Sequence, residues 1–356
     1  MQQLLTSPKK YMQKLLQPLF FLLLMLLTFH TVLRQSSLTA IFTAVTALHP
    51  LYLCLAVLCA LFYVCAEGFM IWWLLRLTRQ SVRLLRCFVY SFIGFFFSGV
   101  TPSATGGQPA QLVAMKKDGV SLGDATLTLM TVALLYKFVL VLIGAALLCF
   151  RRDGIHACFG QYTVLYYVGL SLNVLLVALL LLMIFHGEWM HKLLLLAEKT
   201  ALRFRLCKPS EKRKAAFCRM VADYQSALHF FLAHKYDLLF VTVCTFLQRC
   251  SLFLLTYLIY RGMGLSGSSA WTILSLQAAI YIAVDMLPLP GSQGISELIY
   301  HTVFSTVFTG GSLAASMCIT RGISFYFLLI LSAIIAFLNY RFRTAQPSAA
   351  SYFHSK

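Results

Sequence analysis

The apolar run Phe88 to Val100 ends in Thr101-Pro-Ser-Ala-Thr-Gly-Gly-Gln-Pro109, a cluster of turn formers placed where a membrane helix would still be crossing. A hydrocarbon core needs roughly 20 apolar residues as helix, and this run has 13. Its length predicts a half-helix that stops at mid-depth and turns back, with the turn facing protein or a cavity, because bare backbone cannot face lipid. A second cluster, Pro288-Leu-Pro-Gly-Ser-Gln-Gly294, follows another short apolar run, Trp271 to Val284. Broken segments in comparable places of two halves point to a substrate site of the transporter kind.

The rest of the chain reads as full spans. With 60% hydrophobic and 11% charged residues and a mean hydropathy of +0.81, it cannot expose its apolar surface to water. Leu15 to Leu33, Leu51 to Leu75, Ala125 to Phe150, Ala157 to Phe185, Leu238 to Tyr260 and Leu313 to Tyr340 are each long enough to cross, with at most one isolated charge. Leu15 to Leu33 is too long for a signal-peptide core and no small-residue cleavage site follows it, so a retained first helix is expected, with the mature chain beginning near Met1. The expected fold is an all-α integral membrane protein of six full spans plus two re-entrant broken-helix hairpins. It forms one membrane domain over residues 1–356, with a first half at 15–150 and a second at 157–340. Each half runs span, span, hairpin, span. Three crossings per half is an odd number, so the halves are expected to be inverted repeats whose hairpins enter from opposite sides and meet near the midplane. Residues 187–236, inside the second half, read as an interfacial linker with apolar residues at near-helical spacing among Lys and Arg. Residues 344–356 read as a disordered tail.

The net charge of +18 is distributed by loop. With the N-terminus inside, 22 of the 29 Lys and Arg fall in cytoplasmic segments and four outside, namely Arg34, Arg151, Arg152 and Arg261. This asymmetry places both termini in the cytoplasm. The basic face would also contact anionic lipid, whereas no soluble module with aromatics among basic residues is present to suggest nucleic acid. The 11 Cys show no CxxC pair and no metal spacing with His, and read as small packing residues. No cofactor is implied, and the absence of a Gly-x-x-x-x-Gly-Lys run leaves an ion gradient, the membrane potential or the lipid gradient as driving force.

Six ionisable residues fall in or beside apolar segments: Glu67, Lys137, Arg249, Asp285, Glu297 and Arg321. Each costs about 2.5–3.5 kcal/mol at a helix centre, so partners or water are required. Three anions and three cations permit full pairing, and each residue is open to two readings, a register-fixing ion pair or a contact for passing substrate. Glu67 and Arg249, remote from the turn motifs, favour the first. Lys137 and Arg321 favour the second, since they stand 30 residues beyond Gly107 and Gly291 respectively. In the turns, Gly106, Gly107, Gly291 and Gly294 allow close approach and positive φ, while Pro102, Pro109, Pro288 and Pro290 end helices. Thr101, Thr105, Gln108 and Gln111 offer hydrogen bonds to a head group, and the half-helix N-termini offer positive dipole ends to a phosphate. Glu297 and His301, four apart, are the one pair suited to a membrane-embedded transferase acting on a lipid or polyprenyl carrier.

Thr101-Pro102, Gly106-Gly107-Gln108-Pro109, Lys116-Lys117-Asp118-Gly119, Pro288-x-Pro290-Gly291-x-x-Gly294-x-x-Glu297 and Arg321 resemble the bacterial lysylphosphatidylglycerol synthase transmembrane-domain family, the flippase-like part of the multiple peptide resistance factors and their stand-alone relatives. The resemblance runs from about Leu15 to Tyr340. It implies a multi-pass cell-membrane protein that moves an anionic or aminoacyl-modified phospholipid between leaflets. Full-length relatives carry a soluble aminoacyl-transferase domain after the membrane part, so synthase chemistry is not expected here. Ser292 stands where many members have a second Gly, and Gln111 where many have Arg. Turn chemistry, intramembrane charge and matched spacing together give the expected substrate site as Thr101, Pro102, Gly106, Gly107, Gln108, Gln111, Lys137, Asp285, Pro290, Gly291, Gly294, Glu297 and Arg321. Phospholipid is its expected partner, and homo-oligomerisation is left open.

In a Cys-free background, Ser103→Cys should react with impermeant reagent from the cytoplasm and Ser292→Cys from outside. Same-side labelling of both would rule out inverted halves.

Overall fold

The computed structural model describes residues 43, 46, 48–101, 104–185, 229–287, 292, 294–308 and 312–344. The expected first span Leu15 to Leu33, linker residues 187–228, the tail from 345, and Pro102, Ser103, Pro288, Pro290 and Gly291 lie outside the described residues. In hydrocarbon a segment must satisfy its own backbone, and every regular element described is helical.

Among the described elements the chain begins with α1 (Pro50–Leu77), which starts on Pro50, whose missing N–H costs nothing at a first helical position, with the His49 ring accepting from Leu51 N. The first hairpin is α2 (Leu84–Val100) and α3 (Gly107–Lys117). The helix begins four residues before the apolar run, at Leu84, so the half-helix is longer than expected: 17 residues, about 25 Å. Its outer end is clasped to the end of α3, where Arg86 Nε lies 2.7 Å from Asp118 Oδ2 and the Tyr90 hydroxyl donates to the same carboxylate at 2.5 Å. The start of α2 and the end of α3 therefore lie side by side.

Next comes α4 (Leu122–Phe159), capped by the Ser121 hydroxyl accepting from Asp124 N. Its apolar part breaks at Arg151 (φ −138°), one residue past the expected end at Phe150, where a kink joins it to a second helical stretch that runs to Phe159; Arg151 Nη2 donates to Thr272 Oγ1 across the bundle. Ala157 therefore belongs to α4, and the next span is α5 (Thr163–Phe185). After the linker come α6 (Lys235–Gly262), the second hairpin α7 (Ala270–Val284) and α8 (Ile295–Phe304), then α9 (Ser312–Arg321). A π turn over Gly322–Phe327 leads into α10 (Leu328–Thr344). Among the described residues, four stretches of helix are long and apolar enough to cross a membrane, one of them running over α4 and α5 together, whereas α2 and α7 are shorter.

The bundle is built around α1 and α6. They run antiparallel, as three bonds show: His49 N to Gly262 O (3.1 Å), Gln248 Nε2 to Tyr63 O (2.7 Å) and Trp73 Nε1 to Asp237 Oδ1 (3.1 Å). In each half the first hairpin arm packs on the last long helix of the other half, α2 on α10 and α7 on α4. An offset of 184 residues, which lays Gly107 on Gly291, carries Gly144 to 328 and Ile282 to 98. Gly144 lies against Ile282, and Gly99 lies against Leu329. Leu58, Phe62, Leu247, Ile334 and Phe337 point outward, as a lipid-facing surface requires.

Two glycines let the arms of the first hairpin close. A Cβ at Gly94 would sit 2.2 Å from Gln111 Nε2, and one at Gly107 would sit 2.0 Å from Ser98 Oγ and 2.8 Å from the Gly94 carbonyl. Gly94→Ala should therefore lower stability by about 1–3 kcal/mol, and adding Gln111→Ala should restore most of it. Gly107→Ala should not be rescued by Ser98→Ala, because a backbone atom blocks it. Melting temperatures of the four variants check both outcomes.

Candidate functional site

Polar side chains from both hairpins converge on the α1–α6 pair. Asp285, at the end of α7, is held from α4 by two neighbours: Lys137 Nζ lies 2.5 Å from Oδ2, and the Tyr136 hydroxyl donates to Oδ1. The two side chains of the ion pair are 15% and 7% exposed, so the charges are almost wholly taken from solvent by protein contact.

Beside this pair stands Arg249 of α6, 5% exposed. Full pairing of the intramembrane charges would give it a carboxylate, and it has none in hydrogen-bond contact among the described residues. Its Nη1 donates to the hydroxyls of Tyr63 (2.8 Å) and Tyr281 (3.3 Å), and Nη2 to Gln248 Oε1 (3.3 Å). The guanidinium lies 3.9 Å from the Tyr136 ring centroid and 4.8 Å from that of Tyr63. Ring faces carry partial negative charge, and a desolvated cation over one gains about 2 kcal/mol or more. Phenols thus replace the missing carboxylate. Arg249 Nε, however, has no hydrogen-bond partner among the described residues.

The sequence places Glu67 far from the turn motifs. In the structure its Oε1 accepts from Gln111 Nε2 of the first hairpin at 2.7 Å, and it stands within electrostatic reach of Arg249 and Tyr63. Gln111, 3% exposed, lies flat over Gly94 to make this reach. A seam of polar groups therefore runs from Gln111 through Glu67, Arg249 and Tyr136 to Asp285 and Lys137, joining one hairpin to the other through spans that are otherwise apolar.

A second cluster lies within the second half. Glu297 Oε1 is 2.7 Å from Arg321 Nε, its Oε2 accepts from Gly294 N (2.6 Å) and Ser296 Oγ (2.9 Å), and Arg321 Nη2 donates to Ser296 Oγ (2.8 Å). Gly294 has φ +83°, a conformation glycine adopts without strain, and this aims its N–H at the carboxylate. The N-terminus of α8 is consequently occupied by its own Glu297 rather than open to phosphate, contrary to the sequence expectation. His301 faces outward while Glu297 is buried, so the two do not form a catalytic pair. Ser292 takes a left-handed φ of +52° and donates its hydroxyl to Val284 O at 2.9 Å, a bond that offsets the strain of a side chain there.

The remaining expected residues serve the first turn. Thr101 Oγ1 donates to Phe97 O (2.7 Å) and accepts from Gly106 N (2.8 Å), Gly107 is buried between the arms, and Gln108 is exposed. Lys137 and Arg321, matched in spacing, differ in partnership: Lys137 reaches across to the other half, and Arg321 stays within its own.

Residues 14–332 match the family described as lysylphosphatidylglycerol synthase TM region. The chain belongs to that family. No curated protein matches it. As a lysylphosphatidylglycerol synthase TM-region protein it carries its polar seam partly on residues the sequence did not single out. Tyr63, Tyr136, Tyr281, Gln248 and Ser296 complete the two clusters. The adjacent Gln248-Arg249 inside an apolar span was a usable signal; the tyrosines, three among 17, carried none.

Stranding one buried charge costs about 3–5 kcal/mol, while removing both partners costs far less. Lys137→Met and Asp285→Asn should each lower the melting temperature in detergent sharply, and the double variant should recover most of the loss. Additive losses would mean that the two charges do not depend on each other.

Proposed function

We propose that this protein moves an anionic or aminoacyl-modified phospholipid between leaflets, its head group passing along the seam between the two hairpins. The observation that carries this reading is the seam itself: six partly or fully buried polar and charged side chains, joining both broken segments, in spans where each ionised group costs about 2.5–3.5 kcal/mol. A register device needs one such pair; a chain of them from hairpin to hairpin suits a polar group in transit.

The chemistry follows from the partners. A phosphate carries the same sign of charge as Asp285 and can replace it against Lys137, while the Tyr136 hydroxyl continues to satisfy the released carboxylate. Arg249 Nε is a buried donor without an acceptor among the described residues, and a phosphate oxygen supplies one. Each buried cation is thereby compensated throughout passage, first by protein and then by lipid. Membership of the lysylphosphatidylglycerol synthase TM family supports lipid as the class of substrate.

In this reading the two halves are inverted repeats with re-entrant hairpins, six spans in all, and both termini are cytoplasmic. Supporting it are the antiparallel course of α1 and α6, the reciprocal packing of α2 on α10 and α7 on α4, the clasped ends of the first hairpin and the loop distribution of Lys and Arg. The transferase alternative loses its one pair, because Glu297 turns to Arg321 and His301 to the outside.

Cells with and without the protein should contain the same lipid species, but an impermeant amine reagent should label more aminoacyl-phospholipid on the outer leaflet of cells that have it. Arg249→Gln should reduce this surplus to background. A new lipid species, or an outer leaflet unchanged by the protein, would overturn the reading.

A further inference from the structure

Away from the seam, the end of α1 and the start of α2 border an open, shallow cleft of about 430 Å3 lined by Trp72, Arg76, Arg79, Gln80, Val82 and Arg83, its three arginines exposed. Its backbone is fixed. Arg79 N bonds Arg76 O at 3.0 Å and Gln80 N bonds Leu75 O at 2.9 Å, the two bonds of a Schellman helix ending. That ending requires a left-handed residue after the cap, a place where glycine is least strained. The residue here is Arg79, at φ +60°. The next residue is anchored too, since Gln80 Nε2 donates to Asp124 Oδ2 at 2.7 Å. Arg76 is spread over the Trp72 ring, 4.8 Å from its centroid.

Among the described residues no carboxylate pairs with Arg76, Arg79 or Arg83, whereas Arg86, one turn further on, is paired with Asp118. The cleft therefore concentrates positive charge. Arg83 is also the N-cap of α2, whose first turn holds no acidic residue, so the exposed amides of a 17-residue helix face the same region. Three guanidinium groups and a helix N-terminus favour a phosphate. Trp72 and Val82 supply an apolar wall at the end of a membrane-length helix, where an indole is suited to the boundary between head groups and chains.

We propose that this cleft binds the phosphate of an anionic phospholipid from the adjoining leaflet, with the acyl chains running down the outer face of α1. It is a fixed lipid site, separate from the seam; it rests on α1 being a span and not on lipid movement. Lipid binding accounts for the strained Arg79, since glycine gives the cheaper turn and arginine gives the turn a charge.

Delipidated protein in detergent, titrated with dioleoyl phosphatidylglycerol or dioleoyl phosphatidylcholine and followed by native mass spectrometry, tests this. Phosphatidylglycerol should be retained at a concentration at least about fivefold lower, the effect of a single Arg near an anionic head group. Arg79→Gly removes a charge while relieving the backbone, so it should fold at least as stably and hold phosphatidylglycerol about fivefold more weakly. Arg79→Lys should keep the preference, and Lys117→Gln, which removes a charge elsewhere, should not alter it. Equal retention of the two lipids, or an Arg79→Gly effect no larger than that of Lys117→Gln, overturns the proposal. So does full displacement of phosphatidylglycerol by millimolar sodium phosphate, which would mark the cleft as a site for free anions. Lipid retention does not depend on translocation, so this test stands or falls apart from the proposed function.

Discussion

An ionised side chain in hydrocarbon must be compensated, and most of this structure follows from where the compensation comes from. Lys137 finds it across the bundle on Asp285, Arg321 within its own half on Glu297, and Arg249 on tyrosine rings and hydroxyls. Each solution draws a particular helix toward another. The Lys137–Asp285 pair binds α4 to the end of α7, and Arg249 holds α6 to α1, α4 and α7 at once. Helix register and the polar seam are consequences of one set of contacts.

The glycines make those contacts geometrically accessible. Gln111 reaches Glu67 only because residue 94 has no side chain, and Gly107 lets α3 return against α2 at backbone contact. On the other side, Gly294 turns its N–H into the Glu297 carboxylate, which fixes Glu297 for Arg321. Turn and charge are coupled in both hairpins, but differently. The first hairpin sends an amide side chain to a carboxylate on α1, and the second supplies the carboxylates itself.

Much of the fold was legible because hydropathy and backbone satisfaction act over whole segments. The described spans fall close to the apolar runs, and the family resemblance rested on motifs spaced far apart. Boundaries were less evenly legible: α2 starts before Phe88, because a helix need not begin where its apolar residues begin, whereas the expected end at Phe150 falls beside the kink at Arg151, beyond which a second helical stretch follows. In the site, the ionisable residues were visible as exceptions in apolar text, but their partners were not. Matched spacing suggested equivalent roles for Lys137 and Arg321, whereas pairing depends on which carboxylate the tertiary fold brings near. Glu67 looked isolated because its neighbour, Gln111, is 44 residues away. Tyrosines escaped notice because a phenol in an apolar span is ordinary until a cation stands over it.

Passage of a lipid head group along the seam is tested most directly with purified protein in liposomes. Liposomes carrying a fluorescent anionic phospholipid in both leaflets are treated with an impermeant reductant. If the seam conducts, protein-containing vesicles lose inner-leaflet fluorescence, and vesicles with a Lys137→Met, Asp285→Asn protein that remains folded lose only the outer half. Retention of the inner half by the wild-type protein, or unchanged loss in the folded double variant, would contradict it.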